Sequence, residues 1–144
     1  MGKRRKAREL AIQVLFHLEF SPGDPDEVFD LICEVFNPLK KIRAFSKALV
    51  LGVCKNKPYL DELIQQASTN WRLERMARVD RCILRLGVFE IVFAKDIPPK
   101  VSIDESVELG KIFGTDDSGA FINGILDNIY NQLEKEDRFQ KNHL

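Results

Sequence analysis

Lys3, Arg4, Arg5, Lys6 and Arg8 crowd the start of the chain with no acid among them. Side chains of this type at this density suit phosphate. Each guanidinium presents a planar fork of donors to phosphate oxygens and can stack on an exposed base. The cluster is small, enough for about four or five phosphates, so the expected binding is modest and salt-dependent. An opposite cluster follows, in which Asp24, Asp26, Glu27, Asp30 and Glu34 occur with no base between them. The totals, 22 basic against 22 acidic residues, therefore hide two local fields of opposite sign. Neutrality argues against indiscriminate polyanion binding and leaves a local nucleic-acid contact open.

An enzyme would need a constellation that is missing. His17 and His143 are the only histidines, and no H-E-x-x-H, nucleophile-elbow, dinucleotide or P-loop pattern occurs. The carboxylate pairs Asp104/Glu108 and Asp116/Asp117 fit a solvated helix face and a helix cap. No catalytic residue, metal site or cofactor is expected. Cys33, Cys54 and Cys82 are odd in number and widely spaced. That argues against a disulfide framework or zinc site and for a reducing, cytoplasmic setting. No apolar run reaches membrane-spanning length. The stretch after Leu10 is interrupted by Gln13, His17 and Glu19, unlike a signal peptide.

The elements that must position these groups read as helices. At 144 residues, 44% of them apolar, the chain can bury a core within one domain, residues 1–144. Ala7, Leu10, Ala11, Val14, Leu15 and Leu18 recur at helical spacing over residues 3–20, and Pro22-Gly23 stops that helix. The wheel centres its core stripe on Leu18 and leaves Arg5, Arg8, Ile12 and Phe16 on a second, outer face. Asp24-Pro25-Asp26-Glu27 reads as an N-cap, a first-turn proline and a capping-box acid. Val28, Leu31, Ile32 and Val35 form the expected buried stripe of that second helix. A third helix carries Leu39, Ile42, Phe45, Leu49 and Val53, and a short fourth Leu60, Leu63, Ile64 and Ala67. The fifth and longest spans residues 73–94, with Met76, Val79, Ile83, Leu86 and Gly87 on one side. After the Asp96–Pro99 loop, Ser102-Ile103-Asp104-Glu105 is a second capping box, and Gly114 closes the helix that follows in a left-handed cap. Thr115–Ser118 offers caps for a last helix to Leu133, with 134–144 a polar, frayed tail. The class is all-α, with about seven helices.

Two further features bear on binding. Arg78, Arg81 and Arg85 form a polar stripe on the fifth helix, with Arg72 and Arg75 at its start, and are either a solvated face or a second RNA contact. Asp80 falls among Leu73, Leu84, Gly87 and Ile91 on the wheel, so it is either paired inside the fold or presented to a partner. From Ile97 to Ile129 the sequence becomes specific. Pro98-Pro99-Lys100-Val101-Ser102-Ile103-Asp104-Glu105-Ser106-Val107-Glu108-Leu109 leads into Phe113-Gly114-Thr115-Asp116-Asp117-Ser118, and Phe121-Ile122-Asn123-Gly124-Ile125-Leu126-Asp127 follows. Gly124 reads as a point of close helix approach and Asn123 as a polar group hydrogen-bonded to backbone beside it.

These strings resemble the NusB family of bacterial transcription antitermination factors. Arg4-Arg5-Lys6-Ala7-Arg8-Glu9-Leu10-Ala11 is similar to that family's arginine-rich first helix. Val79-Asp80-Arg81-Cys82-Ile83-Leu84-Arg85 and the Pro98–Asp127 block are similar to its central and C-terminal signatures. The resemblance implies two small packed helical bundles and a non-enzymatic RNA-binding adaptor that helps RNA polymerase read through terminators. Implied partners are the single-stranded boxA element of ribosomal RNA leaders, the small-subunit ribosomal protein NusE, the antitermination complex with RNA polymerase, and a possible second copy in a homodimer. Position by position, Lys3, Arg4, Arg5, Lys6 and Arg8 would contact RNA. Phe16, Asp80, Phe113, Asp117 and Phe121 would face NusE, with Phe16 standing where a tyrosine is common. Alternatives are an RNA-recruiting domain like that of some ribosomal RNA cytosine methyltransferases, and a helical protein-interaction module without an RNA role. Helix-turn-helix DNA binding is disfavoured, since the densest basic cluster opens the chain. A structural alternative packs Ile12 and Phe16 under the second helix, with Arg5 and Arg8 paired to its carboxylates.

Overall fold

The computed structural model describes residues 2–136; His143 and the tail from residue 137 lie outside them. Seven α-helices and one 3₁₀ turn are present among the described residues, with no strand: α1 (Lys3–Phe20), α2 (Pro25–Phe36), α3 (Lys40–Lys55), α4 (Lys57–Ala67), a 3₁₀ turn (Leu73–Arg75), α5 (Arg78–Phe93), α6 (Pro99–Phe113) and α7 (Ser118–Glu136). Contacts divide the chain after Lys55 into two compact units.

In the first unit α1 packs on α3 and α2. Ala7, Ala11 and Val14 are fully buried, and the small side chains on α1 let the neighbouring helix come close. Leu18 is only half-buried and Ile12, expected on the outer face, belongs to the core. Asp24 caps α2 as anticipated, its carboxylate accepting from the Glu27 N–H at 3.1 Å, and Asn37 ends the helix in a left-handed conformation, φ 45°. The α2 stripe differs from the expected one. Phe29 and Cys33 are buried, while Leu31 and Val35 are exposed, Val35 at 78%. Three ion pairs accompany the rotation. Lys47 of α3 pairs with Asp26 at 2.5 Å and with Asp30 at 3.1 Å, and Arg43 reaches Asp30 at 3.3 Å. The face carrying Asp26 and Asp30 lies beside α3, and the burial of Phe29 and Cys33 outweighs these half-exposed pairs in fixing it there. Hydrogen bonds from Lys47 and then Arg43 hold the Asp30 carboxyl below its ordinary range; Asp26 and Asp30 raise the Lys47 ammonium, and burial raises the Cys33 thiol. Leu39 is likewise exposed, because α3 begins only at Lys40.

In the second unit α5 packs against α4, α6 and α7 and is buried on nearly every side from Cys82 to Val92. It begins at Arg78, not 73, and at 16 residues it is shorter than the 19 of α7. The difference lies in side-chain capping of the preceding segment. The Gln65 amide donates to the Trp71 carbonyl at 2.9 Å and its oxygen accepts from the Leu73 N–H at 2.8 Å, holding residues 71–73 out of the helix. Helix α6 starts at Pro99, before the expected capping box. Proline suits a first helical position, where its missing N–H costs nothing. Ser102 then lies inside the helix and donates to the buried Glu90 carboxylate at 2.9 Å. Helix α7 continues through Glu136, taking in the first residues of the segment expected to fray.

Gly114 is extended, φ −98° and ψ −153°, not left-handed. A Cβ there would lie 2.6 Å from that of Ser118, so glycine is required by crowding. A Cβ at Gly124 would meet no neighbouring element within 4 Å, and Asn123 is exposed; in α7 it is the amide of Asn128 that reaches backbone, donating to Ala67 O at 3.1 Å. Close approach occurs at Gly87, where a Cβ would meet Ser106 Oγ at 2.7 Å and Leu126 Cδ1 at 2.8 Å. Leu126 is fully buried and has no room to yield. Gly87→Ala is therefore expected to destabilise by about 1–3 kcal/mol, read as an earlier urea midpoint with unchanged slope; unaltered stability would mean that the core there is soft.

Candidate RNA- and protein-binding surfaces

The basic cluster occupies the first two turns of α1, which has no acid in its first turn. Lys3, Arg4 and Lys6 are exposed and Arg5 is half-exposed. Arg8 is 4% exposed. Phe45 of α3 organises the cluster: the Arg4 guanidinium lies 4.8 Å from its ring centroid and that of Arg8 5.9 Å, within cation–π range. Sequence reading placed Phe45 in a core stripe. It is half-buried, and nothing 37 or more residues away in the chain signals that it meets these arginines. The arrangement fixes the helix start and leaves a row of exposed cations for an anionic backbone. Of the α2 carboxylates that a structural alternative offers to Arg5 and Arg8, Asp26 and Asp30 are engaged by Lys47 and Arg43. Phe16 lies further along α1, 37% exposed, with its ring edge-on to Phe20 at 4.9 Å.

The second unit holds a groove of about 240 Å³ lined by Trp71, Arg75, Met76, Ala77, Asp80, Thr115, Asp117, Ser118 and Phe121. Three of the candidate partner-facing residues, Asp80, Asp117 and Phe121, thus come together, although 37 residues separate Asp80 from Asp117. The fourth in this unit, Phe113, is half-buried at the end of α6 and is not among the lining residues. Asp80 sits in the first turn of α5, 8% exposed, and its Oδ1 has no hydrogen-bond partner. The positive end of the helix dipole helps the carboxylate there but does not replace a donor. Trp71 was missed in the sequence. It is 55% exposed and meets Phe121 edge-to-face, centroids 6.2 Å apart and planes at 81°. Its only advance signal is an isolated tryptophan before a basic segment.

The arginines around α5 divide. Arg72, Arg75 and Arg78 are exposed, and Arg72 lies 3.3 Å from Glu74. Arg81 is half-buried, its Nη1 directed at Leu73 O at 3.5 Å. Arg85 is buried and grips Asp61 of α4 with both ends of its fork, at 2.6 and 3.2 Å. The expected stripe is therefore part surface and part core.

Among the described residues no group of His, Cys, Asp or Glu could hold a metal ion, and no helix is long and apolar enough to cross a membrane. The NusB family model matches residues 5–131. The chain is 48% identical over 141 residues to the transcription antitermination protein NusB of Desulfatibacillum aliphaticivorans, covering 98% of this chain and 99% of that one. Its fold superposes on T. maritima NusB with a TM-score of 0.85 at 36% identity, covering 95% and 96% of the two chains. It superposes also, at TM-score 0.83 and 30% identity over 90% and 97%, on a chain from a crystal structure of antitermination factors NusB and NusE in complex with dsRNA. A match that runs through both units, from the basic first helix to the last turns of α7, leaves one assignment: this chain belongs to the NusB family.

Proposed function

We propose that this chain is a non-enzymatic, cytoplasmic transcription antitermination factor, residues 1–144 acting as one RNA-binding module. It binds single-stranded boxA RNA through the first turns of α1 together with NusE, and joins the antitermination complex on RNA polymerase. Lys3, Arg4 and Lys6, with Arg5 beside them, grip phosphates, while Arg8 and Phe45 hold that edge in place. Asp80, Asp117 and Phe121, with Phe16 and Phe113, serve the NusE contact. The observation that carries the reading is the exposed basic edge of α1, anchored on Phe45 clear of the core. The solved complex of a NusB relative with NusE and dsRNA supports the pairing of RNA with NusE. Self-association through the same basic edge would compete with RNA.

The two surfaces separate by mutation. Asp80→Ala is expected to weaken NusE association about tenfold, the scale of one charged interface contact, and to leave RNA binding by the chain alone within twofold. Titration calorimetry with NusE and filter binding with RNA check this. A collapse of thermal stability instead would make Asp80 a structural group, and an equal loss on both partners would remove the division of labour.

A further inference from the structure

We propose that the outer face of α2 is a docking seam for one amphipathic helix of a basic protein partner. The face carries none of the residues assigned above to RNA or to NusE. On a helical wheel Leu31 lies opposite the buried Phe29 and Cys33. Leu31 is 63% exposed and Val35 78%, and with half-buried Val28 they recur at i, i+3 and i+7. That is the a–d–a spacing of a coiled-coil seam, β-branched at both a positions with leucine at d. Glu27 and Glu34, both exposed, occupy the g positions along one border. Exposed Phe36 and Leu39 prolong the apolar surface past the end of the seam. An exposed apolar strip bordered by charge is the form of a protein contact.

Charge selects the occupant. Between Leu18 and Leu39 the chain has no lysine or arginine, and Arg43 and Lys47 of α3 pair with Asp26 and Asp30, nearer the buried side of α2. An RNA strand or an anionic membrane surface would meet like charge here. A second copy docked through the same face would set Glu27 against Glu34 when antiparallel and Glu27 against Ile32 when parallel, with no base in either arrangement. A partner helix with apolar side chains at matching spacing and Lys or Arg along its flank satisfies both the stripe and the two glutamates. Helix α2 spans 12 residues, about 18 Å, so the contact is short and its affinity moderate.

The probe is a synthetic helical peptide about three heptads long, with valine at a, leucine at d and lysine at e and g. A twin peptide carries glutamate in place of lysine. Fluorescence anisotropy of each labelled peptide against the full chain is expected to show saturable binding of the lysine peptide, with a Kd on the order of 10–100 μM, and about tenfold weaker binding of its twin. Leu31→Ala with Val35→Ala should weaken the lysine peptide about tenfold and leave NusE association unchanged. Glu27→Lys with Glu34→Lys should invert the preference between the two peptides, which binding at another acidic surface of the chain would not do. Circular dichroism checks both variants, and the inversion decides alone if the alanine variant does not fold. Equal affinity for the two peptides, or full affinity in the folded alanine variant, would overturn the proposal. Loss of NusE association in that variant would also overturn it, by merging the face with the NusE contact. Sedimentation of the chain alone and flotation with phosphatidylglycerol vesicles test the other occupants. Self-association or vesicle binding that disappears in the alanine variant would give the face to a second copy or to a membrane instead.

Discussion

Replacing Lys3, Arg4 and Lys6 together by alanine is expected to lower boxA RNA affinity on the order of 10- to 100-fold at moderate salt. It should also flatten the plot of log K against log salt by about 2. The slope follows from counterion release, about 0.7 per phosphate contact on a single strand, with three contacts removed. These side chains are exposed, and none belongs to the buried stripe of α1, so the melting temperature should stay within about 2 °C of wild type, the range of surface substitutions. Arg8→Ala is a different experiment. Arg8 is buried and near Phe45, so its loss mixes packing with charge. A triple variant with an unchanged salt slope would place the RNA contact elsewhere, the exposed Arg72, Arg75 and Arg78 being the next candidates.

Breaking the pair inside the second unit should have the largest effect on stability. Arg85→Ala leaves Asp61 without its bidentate partner and removes a buried side chain bonded at 2.6 and 3.2 Å. Truncating one member of a buried pair costs about 3–5 kcal/mol. Asp61 retains some access to water, which favours the lower end, and about 3 kcal/mol corresponds to roughly 10 °C in a chain of this size. The double variant Arg85→Met with Asp61→Leu should recover most of that loss, since an apolar pair of similar volume avoids the desolvation of two charges. Differential scanning calorimetry distinguishes the outcomes. If Arg85→Ala instead melted like wild type while RNA binding fell, Arg85 would be an RNA contact and not a structural tie.

The parts legible in the sequence are those written by local rules. The span of α1, the Asp24 cap, the break at Pro22-Gly23 and the basic first turn depend on neighbours within a helical turn or two. The parts that were not legible depend on distant partners. On α2 the buried residues are Phe29 and Cys33 and not Leu31 and Val35, and the partners of Asp26 and Asp30 lie on α3, Lys47 and Arg43, beyond the reach of local rules. The start of α5 is set by the Gln65 side chain, and α6 gains a turn because Pro99 can open a helix while Ser102 is drawn to Glu90. Gly114 reads in the sequence as a left-handed cap and is a space requirement of Ser118. For the site, Asp80 was conspicuous as an acid among apolar neighbours, yet nothing local tells that Trp71 stands beside Phe121 or that Phe45 lies under Arg4. The family resemblance groups Asp117 and Phe121 with Asp80, and the three line one groove.

On the proposed reading RNA binds α1 and a protein partner binds another surface, so that the two partners reinforce each other. A filter-binding titration of labelled boxA RNA with the chain alone and with saturating NusE tests it most directly. Weak binding alone and at least fivefold tighter binding with NusE are expected, a coupling of about 1 kcal/mol. Equal affinity in the two titrations would contradict it.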